Sequence, residues 1–166
     1  MAQNSAFDVS TGVDLQEVDN AVNQATKEIQ QRYDFKGTKC TLELDRKEGA
    51  IKLDADDEYK AKAVLQVLRE KLSKRGVPFK NLDEGTVELG SMGRARQRIG
   101  LKQGIDQETA KKISKEVRDQ GFKKVQVQIQ GDELRVSSPS KDTLQDVITF
   151  LKSKDFGVQL NFGNYR

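Results

Sequence analysis

The chain repeats itself, and that repeat limits its possible folds more than any other feature. Gly12-Val13-Asp14 returns as Gly104-Ile105-Asp106, and Cys40-Thr41-Leu42-Glu43-Leu44 as Val125-Gln126-Val127-Gln128-Ile129. Ile51-Lys52-Leu53 returns as Leu134-Arg135-Val136, and Ala61, Val64, Leu65 and Leu68 as Leu144, Val147, Ile148 and Leu151. The offset falls from 92 to 85 to 83 along the chain, as deletions in a helix end and a hairpin loop would leave it.

Each copy reads as strand, helix, strand, strand, helix, strand. Asp14 opens the first helix, with Glu17 three residues on, and Leu15, Val18, Val22, Ala25 and Ile29 share one helical face. Cys40, Leu42 and Leu44 alternate with polar residues, as in a half-buried strand, and Lys47-Glu48-Gly49 turns the chain into Ile51 and Leu53. Asp56 or Asp57 caps a second helix that runs out at Arg75-Gly76. In the second copy Gly131-Asp132 turns the hairpin, and Ser138-Pro139 is read as cap and first turn of the last helix. Strands with one apolar face require an antiparallel sheet covered by helices on one side. The expected fold is therefore α+β, two ferredoxin-like βαββαβ repeats, with one merged eight-stranded sheet as the alternative.

The 166 residues are 35% hydrophobic and 33% charged, so each repeat has a thin core. No apolar run is long enough to span a membrane. One cysteine excludes an intrachain disulfide and suits a reducing compartment. The absence of histidine removes histidine-based triads, most zinc sites and the usual base at neutral pH. No phosphate-loop or dinucleotide glycine pattern occurs. We expect no catalytic residue, no metal and no cofactor. The net charge of +3 is uneven, with ten basic against four acidic residues within 92–124, a field that favours anionic partners.

If helices cover one face of each sheet, the other shows Thr41, Glu43 and Lys52 in the first copy and Gln126, Gln128, Gln130 and Arg135 in the second. RNA-recognition motifs use this face through stacked aromatics. The central strands here carry none, which favours a solvated surface.

Between the copies runs a basic stripe. Val87, Leu89, Ile99 and Leu101 occupy odd positions, while Arg94, Arg96, Arg98 and Lys102 occupy even ones. On one strand, 87–101, the cations would project from one face roughly 7 Å apart, near the spacing of successive phosphates, with a bend at Ser91-Met92-Gly93. Arginine forks suit phosphate, and Gln103-Gly104 would let backbone approach it at the next helix start. The competing reading is an edge strand kept from aggregating by charge. Phe7, Tyr33 and Phe35 are base-stacking candidates, and Arg32 and Lys36 beside the latter two are phosphate-binding candidates, against the alternative of packing between domains. Lys111, Lys112 and Lys115 read as a solvated helix face.

Phe7-Asp8-Val9, Val13-Asp14-Leu15-Gln16-Glu17-Val18, Asn20-Ala21-Val22, Arg32-Tyr33-Asp34-Phe35-Lys36-Gly37, Lys102-Gln103-Gly104-Ile105, Ala110-Lys111-Lys112-Ile113 and Val125-Gln126-Val127-Gln128-Ile129-Gln130-Gly131 together resemble the YajQ family of bacterial nucleotide-binding proteins. The resemblance covers nearly the whole chain. It implies a cytoplasmic bacterial protein whose two repeats exchange their N-terminal strands. Strand 87–101 would then join the sheet of residues 13–82, and the strand near Phe7 that of residues 105–162, with the arginine stripe at the junction. The implied domains are residues 13–103, and 1–12 with 104–166. The resemblance further implies a non-enzymatic protein that binds nucleotide or nucleic acid, and some members are cyclic di-GMP receptors acting through a transcription regulator. The alternatives are an RNA- or tRNA-binding accessory protein and a protein–protein adaptor.

Overall fold

A computed structural model describes residues 4–166. It is an α+β fold of two ferredoxin-like repeats, each with an antiparallel sheet under two helices. The chain divides into two compact units, Val13–Lys102 and residues 4–12 with 103–166.

In the first unit the strands are β2 (Thr41–Asp45), β3 (Ala50–Ala55), β4 (Leu82–Glu84), β5 (Glu88–Leu89) and β6 (Ala95–Leu101); β1 (Ser5–Ser10) belongs to the second unit. Their order is β2-β3-β6-β4, and β5 adds to β6. Helices α1 (Leu15–Gln31) and α2 (Glu58–Lys74) supply the cover. Asp14 caps α1 by accepting from the Gln16 N–H, and Asp57 caps α2 by accepting from the Lys60 N–H. Glu17 does not close a capping box; its carboxylate accepts from the Asn20 amide. After α2 the chain reverses at Gly76, whose φ is +75°, and the Val77 N–H returns to the Leu72 carbonyl. The helical stripe Val18, Ala21, Val22, Ala25 and Ile29 packs with Ala61, Val64, Leu68 and Leu72 and with Ile51, Leu53, Ala95 and Ile99 of the sheet. From Ile51 onward on β3 and throughout β6 the strands alternate, odd positions buried and even positions exposed or partly exposed, while Ala50 at the start of β3 is also buried.

In the second unit the strands are β1, β7 (Gln126–Gln130), β8 (Glu133–Ser138) and β9 (Asn161–Gly163), ordered β7-β8-β1-β9 under α3 (Gln107–Asp119) and α4 (Lys141–Lys152). Phe7 stands opposite Val136, so β1 lies in this sheet although α1 follows it in the chain. The sheets are separate, which replaces the merged alternative. The last helix starts later than expected. Ser140 is its cap, accepting from the Thr143 N–H, while Ser138 accepts from the Ser140 N–H and Pro139 precedes the helix. Among the described residues no helix is long and apolar enough to cross a membrane.

Candidate functional site: the open face of the first sheet

The strand predicted over 87–101 is two strands. Met92 and Gly93 take φ of +60° and +75°, the Gly90 N–H bonds to the Arg94 carbonyl, and β5 folds back antiparallel on β6. Glu88 therefore stands opposite Arg96, and Leu89 is exposed rather than sharing the inner face of Ile99.

Register lays out the open face in two cross-strand rows. One runs Thr41, Asp54, Arg96, Glu88. The other runs Glu43, Lys52, Arg98 and ends at Gly85, whose N–H bonds to the Arg98 carbonyl. A side chain at Gly85 would place its Cβ 3.0 Å from that carbonyl, so the row closes without one. Above these rows lies a basin of about 550 Å³, lined by residues of both rows together with Thr86 and Gln97. That volume is in the range of small-molecule sites. Gln97, on the inner face, donates its amide to the Gly85 carbonyl at 2.7 Å and fixes the rim.

The cations differ sharply in what already holds them. Arg94 is spent on structure: Nε meets Asp54 Oδ1 at 2.9 Å, Nη1 meets Asp56 Oδ1 at 3.2 Å, and Nη2 donates to the Lys39 carbonyl at 2.6 Å. The hydrogen bond to Asp54, then the Asp54 and Asp56 charges, push its pKa above the ordinary arginine value despite partial desolvation. Arg94 is thus withdrawn from the phosphate-binding set. Arg96 shares Asp54, Nε to Oδ2 at 3.2 Å, yet its side chain is 69% exposed. Arg98 is held only loosely, 3.4 Å to the Glu48 carbonyl and 3.9 Å to its carboxylate, and is 57% exposed. Arg96 and Arg98 both line the basin.

The other candidates lie elsewhere. Lys102 follows β6, and its backbone is tied to Asn81 from both sides. Gln103 packs beside Gly12, where an added Cβ would meet its side-chain oxygen at 3.2 Å. Gly104 is occupied by the protein itself, because a Cβ there would fall 2.6 Å from the Asp132 carboxylate. Phe7 is fully buried in the second core and Phe35 is 3% exposed in the first, so neither offers a face to a base. Arg32 forks onto Asp34 and lies 5.2 Å over the Phe35 ring. Asp34 chiefly raises its pKa, by hydrogen bond and charge, with Glu28 adding to it. Tyr33 and Lys36 beside it are exposed, and none of the four lines the basin. Among the described residues no group of three carboxylate or thiol side chains is placed to hold a metal.

A family model described as nucleotide-binding protein YajQ-like matches residues 5–166. The chain belongs to the YajQ family. It is similar over its full length to a nucleotide-binding protein of Koribacter versatilis, at 51% identity covering 100% of this chain and 99% of the relative. A nucleotide-binding protein of Chloroherpeton thalassium is 47% identical, covering 100% of both chains. One of Nocardia farcinica is 53% identical over 98% of each. These relatives are named as binding proteins rather than as enzymes.

Among this YajQ-family chain's basin residues, the sequence spacing points to Arg96 and Arg98 as phosphate ligands and to Thr41, Glu43 and Lys52 only as a solvated face. Asp54, Gly85, Thr86 and Glu88 were missed. Continuing the alternation from Lys52 would have found Asp54. The other three depend on the bend expected at 91–93 being a full fold-back, which Gly90 and Gly93 do not by themselves specify.

Proposed function

We propose that the chain is a non-enzymatic nucleotide-binding protein and that the basin on the open face of its first sheet is the binding site. The observation that carries the reading is the pair of exposed guanidiniums, Arg96 and Arg98, on one face of β6 beside the side-chain-free end of the row at Gly85. Forked donors roughly 7 Å apart suit two phosphate oxygens or two successive phosphates. Glu43 and Glu88 line the same basin and accept from the ring N–H and exocyclic amine of a base. Cyclic di-GMP offers both features, two bridging phosphates and two guanine edges, and heads the list of ligands. The nucleotide-binding names of the relatives support the class. Recognition of RNA by stacking is not supported, because no aromatic residue lines the basin.

The test is calorimetry with guanine and adenine nucleotides, cyclic dinucleotides and short RNAs. A cyclic or linear nucleotide is expected to bind the wild type and to lose affinity when Arg96 and Arg98 are both replaced by alanine. Unchanged affinity in a folded double variant would remove the site. Turnover of GTP, ATP or cyclic di-GMP that survives contaminant controls would overturn the non-enzymatic reading.

A further inference from the structure

The two repeats differ at their hairpin edges. β2 and β7 are the equivalent outer strands of their sheets, and among the described residues each pairs on one side only. Edge strands present unpaired N–H and C=O groups and are normally blunted by charge. β2 is blunted in this way, because antiparallel pairing with its own copy about Glu43 would set Glu43 against Glu43. β7, Gln-Val-Gln-Ile-Gln, has no charge, no proline and no bulge.

We propose that β7 is a docking edge for a second copy of this chain, the two strands pairing antiparallel about Gln128 to join two four-stranded sheets into one of eight. Three observations converge on that occupant. The first is hydrogen-bond phase. The two-residue loop Gly131-Asp132 closes on Gln130 and Glu133, so Gln126, Gln128 and Gln130 bond to β8. Val127 and Ile129 then direct their backbone groups to the open edge, and a two-fold at Gln128 sets Val127 against Ile129 of the second copy.

The second is self-complementarity of side chains. In this register Gln128 faces itself and Gln126 faces Gln130 on the open side, while the aliphatics meet on the helix side. Phe122, Val125 and Val127 are half-buried there beside a cavity of about 120 Å³ under α3, and Ile129 is 37% exposed. The pairing covers this fringe. The third is charge. The exposed Lys123 and Lys124 precede β7, and the exposed Asp132 and Glu133 follow it. Antiparallel pairing brings the basic approach to β7 of each copy towards the acidic hairpin tip of the other, where Asp132 lies in the turn and Glu133 opposite Gln130 on β8. The contact uses no basin residue and is independent of nucleotide binding.

The experiment combines sedimentation over a wide concentration range with cysteine cross-linking in a Cys40→Ser background. The wild type is expected to show a concentration-dependent dimer. Gln128→Lys, which sets two like charges across the axis at an exposed position, is expected to weaken it about tenfold or more while leaving the circular dichroism spectrum unchanged. Residues opposite each other at a non-hydrogen-bonded pair lie about 4.5 Å apart between Cα atoms, within disulfide reach. Gln128→Cys should therefore oxidise to a covalent dimer. Gln126→Cys should not do so alone, but should cross-link when mixed with Gln130→Cys. A monomer at every concentration, a dimer indifferent to Gln128→Lys, or equal cross-linking of Gln126→Cys and Gln128→Cys would overturn the proposal.

Discussion

Three arginines two residues apart, Arg94 just before β6 and Arg96 and Arg98 on it, have different fates because their neighbours differ. Arg94 meets two carboxylates and a carbonyl, Arg96 shares one carboxylate, and Arg98 has a single loose polar partner in Glu48 among the described residues. Arg94→Ala is expected to lower the melting temperature, since it leaves Asp54, Asp56 and the Lys39 carbonyl without their shared donor. Arg96→Ala and Arg98→Ala should each leave melting nearly unchanged, as exposed pairs contribute little. Each is expected to weaken nucleotide affinity by roughly ten- to a hundredfold, the scale of a hydrogen bond to a charged group. Arg98→Lys should recover only part of that loss, because lysine lacks the fork. Calorimetry and a melting curve on each variant check all of these.

Asp8 gives a pH dependence of known sign. Hydrogen bonds from Arg135 at 3.0 Å and from Asn164 at 2.8 Å hold its carboxyl below the usual aspartate range, against the desolvation that opposes them. A lowered pKa in the folded state means stability that is complete above the unfolded value, about 4, and lost as pH falls through the folded one. Asp8→Asn is expected to lower stability at neutral pH by about 1–3 kcal/mol and to flatten the acid limb of the stability curve. Denaturant melts from pH 7 to pH 2 measure both.

Elements were legible where burial imposed a period. The stripe on α1 and the alternation on β3 and β6 are written by one-sided cover; the structure buries Val18, Val22, Ala25 and Ile29 as expected, adds Ala21 and leaves Leu15 half-buried at the helix start. The bend at Ser91-Met92-Gly93 was legible, but its full reversal was not, since Met92 at φ +60° is a conformation that non-glycine sequences rarely announce. The pairings of the arginines were equally hidden, because register rather than spacing chooses cross-strand neighbours. Buried aromatics escaped for a related reason: Phe7 and Phe35 look like ligands in loop or end positions, yet each fills a core. The loop before α3 yields a prediction of its own. Asp132 sits over Gly104, and the Ile105 N–H bonds to the Asp132 carbonyl. Gly104→Ala should cost about 1–3 kcal/mol by forcing that turn apart, with no separate loss of nucleotide affinity. A well-folded variant that loses binding would instead restore Gly104 to the site.

At the scale of the molecule, each sheet is completed by a strand whose chain neighbour is a helix of the other unit. The unit Val13–Lys102 holds every strand of its own sheet, whereas residues 103–166 lack β1, which lies between β8 and β9. A fragment of residues 13–102 is therefore expected to fold cooperatively alone. A fragment of residues 103–166 should stay largely unfolded until a peptide of residues 1–12 is added. Circular dichroism and amide exchange would follow both, and a stable 103–166 fragment without the peptide would contradict the strand order.

The central claim is a location, so it is tested most directly by mapping where a nucleotide touches the full chain. Backbone amide shifts followed during titration with the tightest-binding nucleotide should move at Thr41, Glu43, Lys52, Asp54, Thr86, Glu88, Arg96 and Arg98, the residues around the basin. Shifts confined to residues 103–166, with the first sheet silent, would contradict the account.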